Sequence, residues 1–353
     1  MAEDNLSMKL ILHIGAEKTG TTSIQSFLAQ NSQEIFSEQR ILYPIHSRLF
    51  HGINHGPAVG ALLPPESCDF IPSHARIDAE ELLRGISAAV SRDPSAIIIS
   101  SEHYSSRLMD AEVEQLRNLL SSFDVQIVLA VRRPDEFFMS AFSTYLKSGG
   151  RGWFKEFAES MPEGFFDCSQ IVRRWDGSFG IDRVSLIHYD KSRGSVIDDF
   201  CVAAGIEMAA HYVRPGKLNE RLGPRNLVLM RALNEFMPSF AALNRIGDAA
   251  MTEKVQALRE ALSRHSPLDG DRMASAARRT VYPEVDALLL SAMDNFVTFL
   301  HERMPDVSLP EGYVRPDIQL DSGSEVLRDL VRFLLNYGGL ASTDGMNEMM
   351  KDN

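Results

Sequence analysis

Apolar residues along this chain follow two different periods. Short runs dense in Leu, Ile and Val recur at 10–14, 41–43, 96–100, 126–131 and 184–189. Runs of this length, apolar on both sides of the alternation, predict strands buried on two faces. Between them the spacing changes to threes and fours, as in Ile24, Phe27 and Leu28 within 23–31. The same spacing predicts helices over 77–91, 111–123, 154–161 and 168–179, and one carrying Phe137, Phe138, Ser140, Phe142 and Tyr145. Strands separated by helices predict parallel β–α–β crossovers, hence an α/β domain over 8–210 with a parallel sheet covered by helices on both faces. Beyond Arg214 the strand period disappears. Helical spacing marks 222–236, 253–264, 282–303 and 325–337, with a breaker-rich linker at 266–270. A C-terminal helical addition packed on the sheet domain is predicted over 211–341, with a flexible tail at 342–353 and no strand after Tyr189.

Composition narrows the classes of function. The chain has 353 residues, 44% hydrophobic and 24% charged, which is a globular composition. Its formal net charge of −12 argues against nucleic acid or an acidic membrane as a partner. An anionic ligand would have to be held by a local basic cluster. The three cysteines, Cys68, Cys168 and Cys201, are far apart and outline neither a disulfide framework nor a zinc site. Residues 1–7 lack the pattern of a secretory signal, and no apolar run reaches the ~18 residues of a membrane helix. A cytoplasmic protein without membrane insertion is expected, and nothing in the sequence sets its oligomeric state.

The chemistry concentrates after the first strand, in Gly15-Ala16-Glu17-Lys18-Thr19-Gly20-Thr21-Thr22-Ser23. Strand, glycine-bearing turn and helix make a phosphate cradle. Turn amides and the positive end of the helix converge on one anion, Lys18 adds a point charge, and Thr19, Thr21 and Thr22 add hydroxyls. In nucleotide hydrolases the lysine directly follows the second glycine. Here Lys18 precedes Gly20 by two residues, which suits the 5′ end of a shorter nucleotide. A second unit follows the strand at 126–131: Arg132-Arg133-Pro134, then the helix bearing Ser140. A guanidinium fork with a nearby hydroxyl suits another phosphate. The strand at 184–189 ends in Tyr189, whose ring offers a flat face for a purine or packs in the core.

These motifs, in this order, resemble the sulfotransferase family, whose 5′-phosphosulfate loop reads approximately P-K-S-G-T-T. The resemblance covers roughly residues 8–205. It implies a P-loop-like fold and the donor 3′-phosphoadenosine 5′-phosphosulfate, with no metal. It assigns Lys18, Thr19, Gly20, Thr21, Thr22 and Ser23 to the 5′-phosphate, Arg132 and Ser140 to the 3′-phosphate, and Tyr189 to the adenine. The chain departs from the family at Glu17 (usually proline), Thr19 (often serine) and Arg133 (commonly asparagine, and expected here to face solvent). The family's C-terminal R-K-G-x-x-G-D-W loop is missing. The stretches 214–217 and 224–226 are weak substitutes.

Sulfuryl transfer also needs a base. The strand at 96–100 runs into Ser101-Glu102-His103, and in the resembled family the corresponding strand delivers a histidine or a glutamate. Glu102 is favoured and His103 is the alternative. The irregular, histidine-bearing stretch 46–72 is expected to line the acceptor pocket, with Asn54 and His55 as hydrogen-bonding candidates, or to be an ordinary surface loop. The acceptor is expected to be a small molecule or a carbohydrate. Two rivals remain: a P-loop kinase using ATP and magnesium, and a non-catalytic protein that binds a nucleotide or a sulfated glycan.

Overall fold

The computed structural model describes residues 7–16, 18–162, 165–190, 195–216, 222–264, 278–280, 283–307 and 318–320. The elements in chain order are β1 (Lys9–His13), α1 (Thr21–Gln30), α2 (Ser32–Gln39), β2 (Ile41–Leu42), α3 (Gly56–Gly60), α4 (Ala79–Val90), β3 (Ala96–Ser100), α5 (His103–Arg107), α6 (Asp110–Leu119), β4 (Asp124–Val131), α7 (Pro134–Lys147), α8 (Phe154–Glu159), α9 (Cys168–Phe179), β5 (Val184–His188), α10 (Val196–Ala204), α11 (Pro224–Asn234), α12 (Phe240–Ile246), α13 (Ala249–Arg264), β6 (Arg278–Thr280), α14 (Pro283–Arg303) and β7 (Ile318–Leu320). The predicted helix at 325–337, the linker at 266–270 and the tail lie outside the described residues.

The chain divides into two compact units that alternate along the sequence. The first comprises Met1–Pro134, Phe166–Asn219 and Ala292–Pro310, and the second Asp135–Phe165, Glu220–Ser291 and Glu311–Asn353. This differs from a division at residue 210. The reason is local packing: α7 and α8 join the later helices, while the end of α14 joins the sheet.

In the first unit five strands form one sheet in the order β2-β3-β1-β4-β5. Every pair is parallel, with His13 opposite Ser100 on one side and Val128 on the other. The alternation of side chains sorts the core into two layers, as the doubly apolar strands require. Leu10, Leu12, Ile97, Ile99, Ile127 and Leu129 meet one layer of helices, which includes Ile86 of α4, Leu116 of α6, Trp175 of α9 and Phe296 of α14. Ile11, Ile98, Val128 and Ala130 meet the other, with Ile24, Phe27 and Leu28 of α1 and Phe200 of α10. The fold is therefore α/β, a parallel sheet flanked by helices. Helix α10, which no sequence pattern had marked, opens on a Ser195 cap, the Ser195 side chain accepting from the Ile197 amide, and closes on left-handed Gly205.

In the second unit, Phe138 and Phe142 of α7 pack on Phe154 and Phe157 of α8, with ring centroids 4.5–5.6 Å apart. Buried Asn234 at the end of α11 donates to the Leu146 and Gly150 carbonyls, both at 2.7 Å, and accepts from Arg259 of α13. This unit also holds two strands where none was expected. β6 pairs antiparallel with β7, Arg279 opposite Gln319. Three residues per strand are too few for an alternation to show.

Candidate active site

Parallel sheets open their sites at the carboxyl ends of the strands. β1 is the central strand, so the loops after β1, β3, β4 and β5 meet there. The turn between β1 and α1 contains two left-handed residues, Lys18 (φ 65) and Gly20 (φ 85). Gly20 occupies the cap position of α1, which has no side-chain cap. A side-chain cap typically stabilises a helix by ~1 kcal/mol relative to alanine. Instead the first-turn amides are left open. Ser23 and Ile24 donate to the Gly20 carbonyl. The amides of Lys18, Thr19, Gly20, Thr21 and Thr22 meet no acceptor among the described residues. Successive open amides around left-handed residues form an anion-binding concavity.

Glycine is required at two positions of this turn. A Cβ on Gly20 would lie 2.8 Å from Val196 Cγ1 and 3.0 Å from Tyr189 Cε2, in a backbone conformation side chains rarely adopt. A Cβ on Gly15 would lie 2.5 Å from Thr21 Oγ1. Thr19 is buried and donates to the Ala16 carbonyl at 2.5 Å, and Thr21 faces the same oxygen at 3.5 Å. Their hydroxyl protons brace the turn, while Thr22 and Ser23 stay partly open. Lys18 is half-exposed and has no ion pair among the described residues. Glu17 lies outside those residues.

Arg132 comes to this turn from the end of β4. Its guanidinium donates to the Lys18 carbonyl at 2.8 Å and lies over the Tyr189 ring, 5.0 Å from the centroid. The three residues picked from three separate motifs thus converge. Arg133, expected to face solvent, is buried instead. Ser140 lies on α7 in the second unit and is half-buried. Arg214, the weak substitute for the missing loop, is engaged by Asp198 at 2.5 and 3.1 Å. Lys217 lies outside the described residues.

On the other side of β1, β3 delivers Glu102 at the start of α5. Glu102 Oε2 accepts from Gln25 Nε2 of α1 at 2.9 Å. The Ser105 hydroxyl faces both the Glu102 and Gly15 carbonyls, at 2.9 and 3.0 Å, so α5 is tied to the anion turn. The His103 ring packs on Phe70, ring centroids 4.0 Å apart.

Beneath these groups lies a buried polar layer, in which His13 Nε2 and His55 Nε2 meet no partner among the described residues. His13 Nδ1 is hydrogen-bonded to Ser100 Oγ at 2.7 Å, and His55 Nδ1 accepts from the Ser100 amide at 3.2 Å. Burial pushes both imidazoles down to about 3, so both are neutral. Tyr43 donates to the Ile53 carbonyl, and burial, then the Glu102 charge, push its phenol up, with Ser100 partly opposing. His55 is also enclosed by the Tyr43 and Phe50 rings. Asn54 Oδ1 accepts from the Gly56 amide at 2.8 Å, a turn-forming bond. Asn54 and His55 therefore shape the loop in which they sit, and that stretch is anchored to the core through Leu49, Ala58 and Val59 while His46, Arg48, His51 and Ile53 are exposed. Among the described residues no set of three metal-ligating side chains comes together.

Gln25, His13 and Tyr43 carry no motif. Gln25 had one signal: a polar residue beside Ile24, Phe27 and Leu28 on a helix face that is otherwise apolar. No family model and no curated protein matches the chain. Among solved structures it is similar to a sulfotransferase from Alicyclobacillus acidocaldarius, with 17% identity and a TM-score of 0.41 over 70% of this chain and 95% of that one. A superposition this loose does not assign a family. No helix among the described residues is long and apolar enough to cross a membrane.

Proposed function

We propose that this protein is a sulfotransferase that moves a sulfuryl group from 3′-phosphoadenosine 5′-phosphosulfate to an acceptor hydroxyl, on a small molecule or a carbohydrate. The observation that carries the reading is the convergence of Lys18, Arg132 and Tyr189 on a turn whose amides are open. A 5′- and a 3′-phosphate on one ribose are only a few bonds apart, so their two grips must be neighbours, as Lys18 and Arg132 are. The open amides and the Lys18 ammonium suit the 5′-phosphate, Arg132 the 3′-phosphate, and the Tyr189 ring the base. Ser140 keeps its expected part in the 3′ grip as a proposal on sequence grounds, and so does a cytoplasmic setting.

In this reading the acceptor oxygen forms a bond to sulfur while the bond between sulfur and the 5′-phosphate oxygen breaks. The electron pair stays on that phosphate, beside Lys18 and the turn amides. The acceptor proton passes to the Glu102 carboxylate. Positioning and fixed charge supply most of such a step. Glu102 is preferred over His103 because its carboxylate is braced from the anion-binding helix, whereas the imidazole packs on Phe70. Calorimetry tests the donor. Diphosphoadenosine should bind without magnesium and far more tightly than ADP. Equal affinities, or a strict need for magnesium with ATP preferred, would replace this reading with a kinase.

A further inference from the structure

We infer that Gln25 is a positioning residue for the Glu102 carboxylate, so that α1 carries both the anion cradle at its start and the brace of the proton-accepting group one turn later. The inference rests on the proposed role of Glu102.

Thr21 opens α1, and Gln25 lies four residues on, on the same face of the helix. Gln25 is fully buried, between core residues Ile24 and Phe27. Its Nε2 donates to Glu102 Oε2 at 2.9 Å, and its Oε1 has no partner among the described residues. A buried amide with one bond unmade is unfavourable where leucine or methionine would fit the apolar surroundings. What the amide adds is a charge-assisted bond to a carboxylate. The bond fixes Oε2 and leaves Oε1 of Glu102 as the oxygen that receives a proton. The Ser105 hydroxyl, shared between the Gly15 and Glu102 carbonyls, holds the main chain of Glu102 to the same turn.

Other charged and titratable groups surround Glu102. Tyr43 feels its charge from the segment after β2. His103 is the next residue, Lys18 belongs to the adjacent turn, and neutral His13 and His55 contact Ser100, two residues before it. None of these supplies the bond that Gln25 makes. Because Nε2–H donates only to the ionised or carbonyl oxygen, its loss should favour the protonated acid.

The test is a carboxyl-carbon NMR titration of glutamate-labelled protein, with the Glu102 signal assigned by its loss in Glu102→Gln. In Gln25→Met, checked for folding by circular dichroism, the Glu102 midpoint should rise by about one pH unit. Turnover should fall about tenfold or more, with its acid limb displaced upward and diphosphoadenosine affinity unchanged. Gln25→Met added to Glu102→Gln should slow the enzyme no further, which a merely structural glutamine would not obey. An unmoved Glu102 midpoint overturns the inference. If Gln25→Met and Gln25→Leu both fail to fold, the wild-type Gln25 side-chain amide protons decide, since they should follow the Glu102 titration and a flat response overturns it. Should the wild type neither bind diphosphoadenosine nor turn over, the sulfotransferase reading falls, and the NMR midpoint still decides the role of Gln25.

Discussion

Two polar clusters share the carboxyl end of the sheet, one directly below the other, and they differ in what they leave open. The lower one, His13, Ser100, His55 and Tyr43, is fully buried, and hydrogen bonds run through Ser100 and the adjoining carbonyls. Its imidazoles are held neutral by burial. The upper one, residues 18–23 with Arg132 and Glu102, contains amides that meet no acceptor among the described residues, and half-exposed Lys18 and Glu102. Histidine is the side chain usually suspected of acid–base work. Here His13 and His55 are buried walls, and the half-exposed charged side chains beside the turn are Lys18 and Glu102. Openness, more than residue type, separates the layer that can act from the layer that supports it.

The comparison can be broken most severely at Glu102. Glu102→Gln keeps the shape and removes the proposed base, so turnover should fall about 10²–10⁴-fold while diphosphoadenosine affinity is kept. A near-normal rate beside an inactive His103→Ala would transfer the base role to the imidazole. Lys18→Ala should lower turnover about 10²–10³-fold and, unlike Glu102→Gln, also weaken diphosphoadenosine binding in calorimetry.

The lower layer should instead respond in stability. Its two imidazoles titrate near 3 in the fold, against an ordinary 6.5. The unfolded chain takes up these protons first as pH falls. Stability is therefore full above pH 6.5 and drains away between there and pH 3. Moving from about pH 7.5 to about pH 5.5 should cost about 2–3 kcal/mol for the pair, read by urea unfolding. His13→Gln should remove about half of that dependence, and a full dependence without His13 would return the acid sensitivity to other groups. The mildest test sharpens the upper layer. Arg132→Ala should weaken diphosphoadenosine by about 1.5–3 kcal/mol, and less for an analogue lacking the 3′-phosphate. Equal losses for both ligands would mean that Arg132 serves the turn through the Lys18 carbonyl and not the phosphate.

Much of the first unit was legible because its rules are local. The strand at 96–100 and the helix at 168–179 coincide with β3 and α9, since each is a clean apolar run or stripe between breakers. The turn between β1 and α1 was legible as a strand-to-helix turn because its glycines interrupt an apolar strand directly before a helical stripe. Arg133 was misread because a guanidinium after a strand looks solvated until the surrounding chain is placed. Asn54 and His55 were read as acceptor contacts because polar residues in a glycine-rich stretch look available. The Asn54 bond to the Gly56 amide is local, and the His55 bond to Ser100 depends on a fold that brings 55 beside 100. Gln25 was missed for the same reason, its partner being 77 residues away. The alternation of the two units was hidden because α14 is one unbroken helical pattern, whatever its two ends pack against.

The position of β1 has a consequence for how the chain is made. β1 is the earliest strand of the described chain, yet it lies in the middle of the sheet, bonded to β3 and β4 and to nothing nearer. During synthesis, Lys9–His13 must wait for residues up to 128 to leave the ribosome before both of its edges are paired. Until then a strand that is apolar on both faces has no partner. It is therefore the segment that holdase chaperones would most readily meet, and the one where a stalled nascent chain would most readily aggregate. The residues that follow β1 at the start of α1 can settle against their neighbours only after that wait.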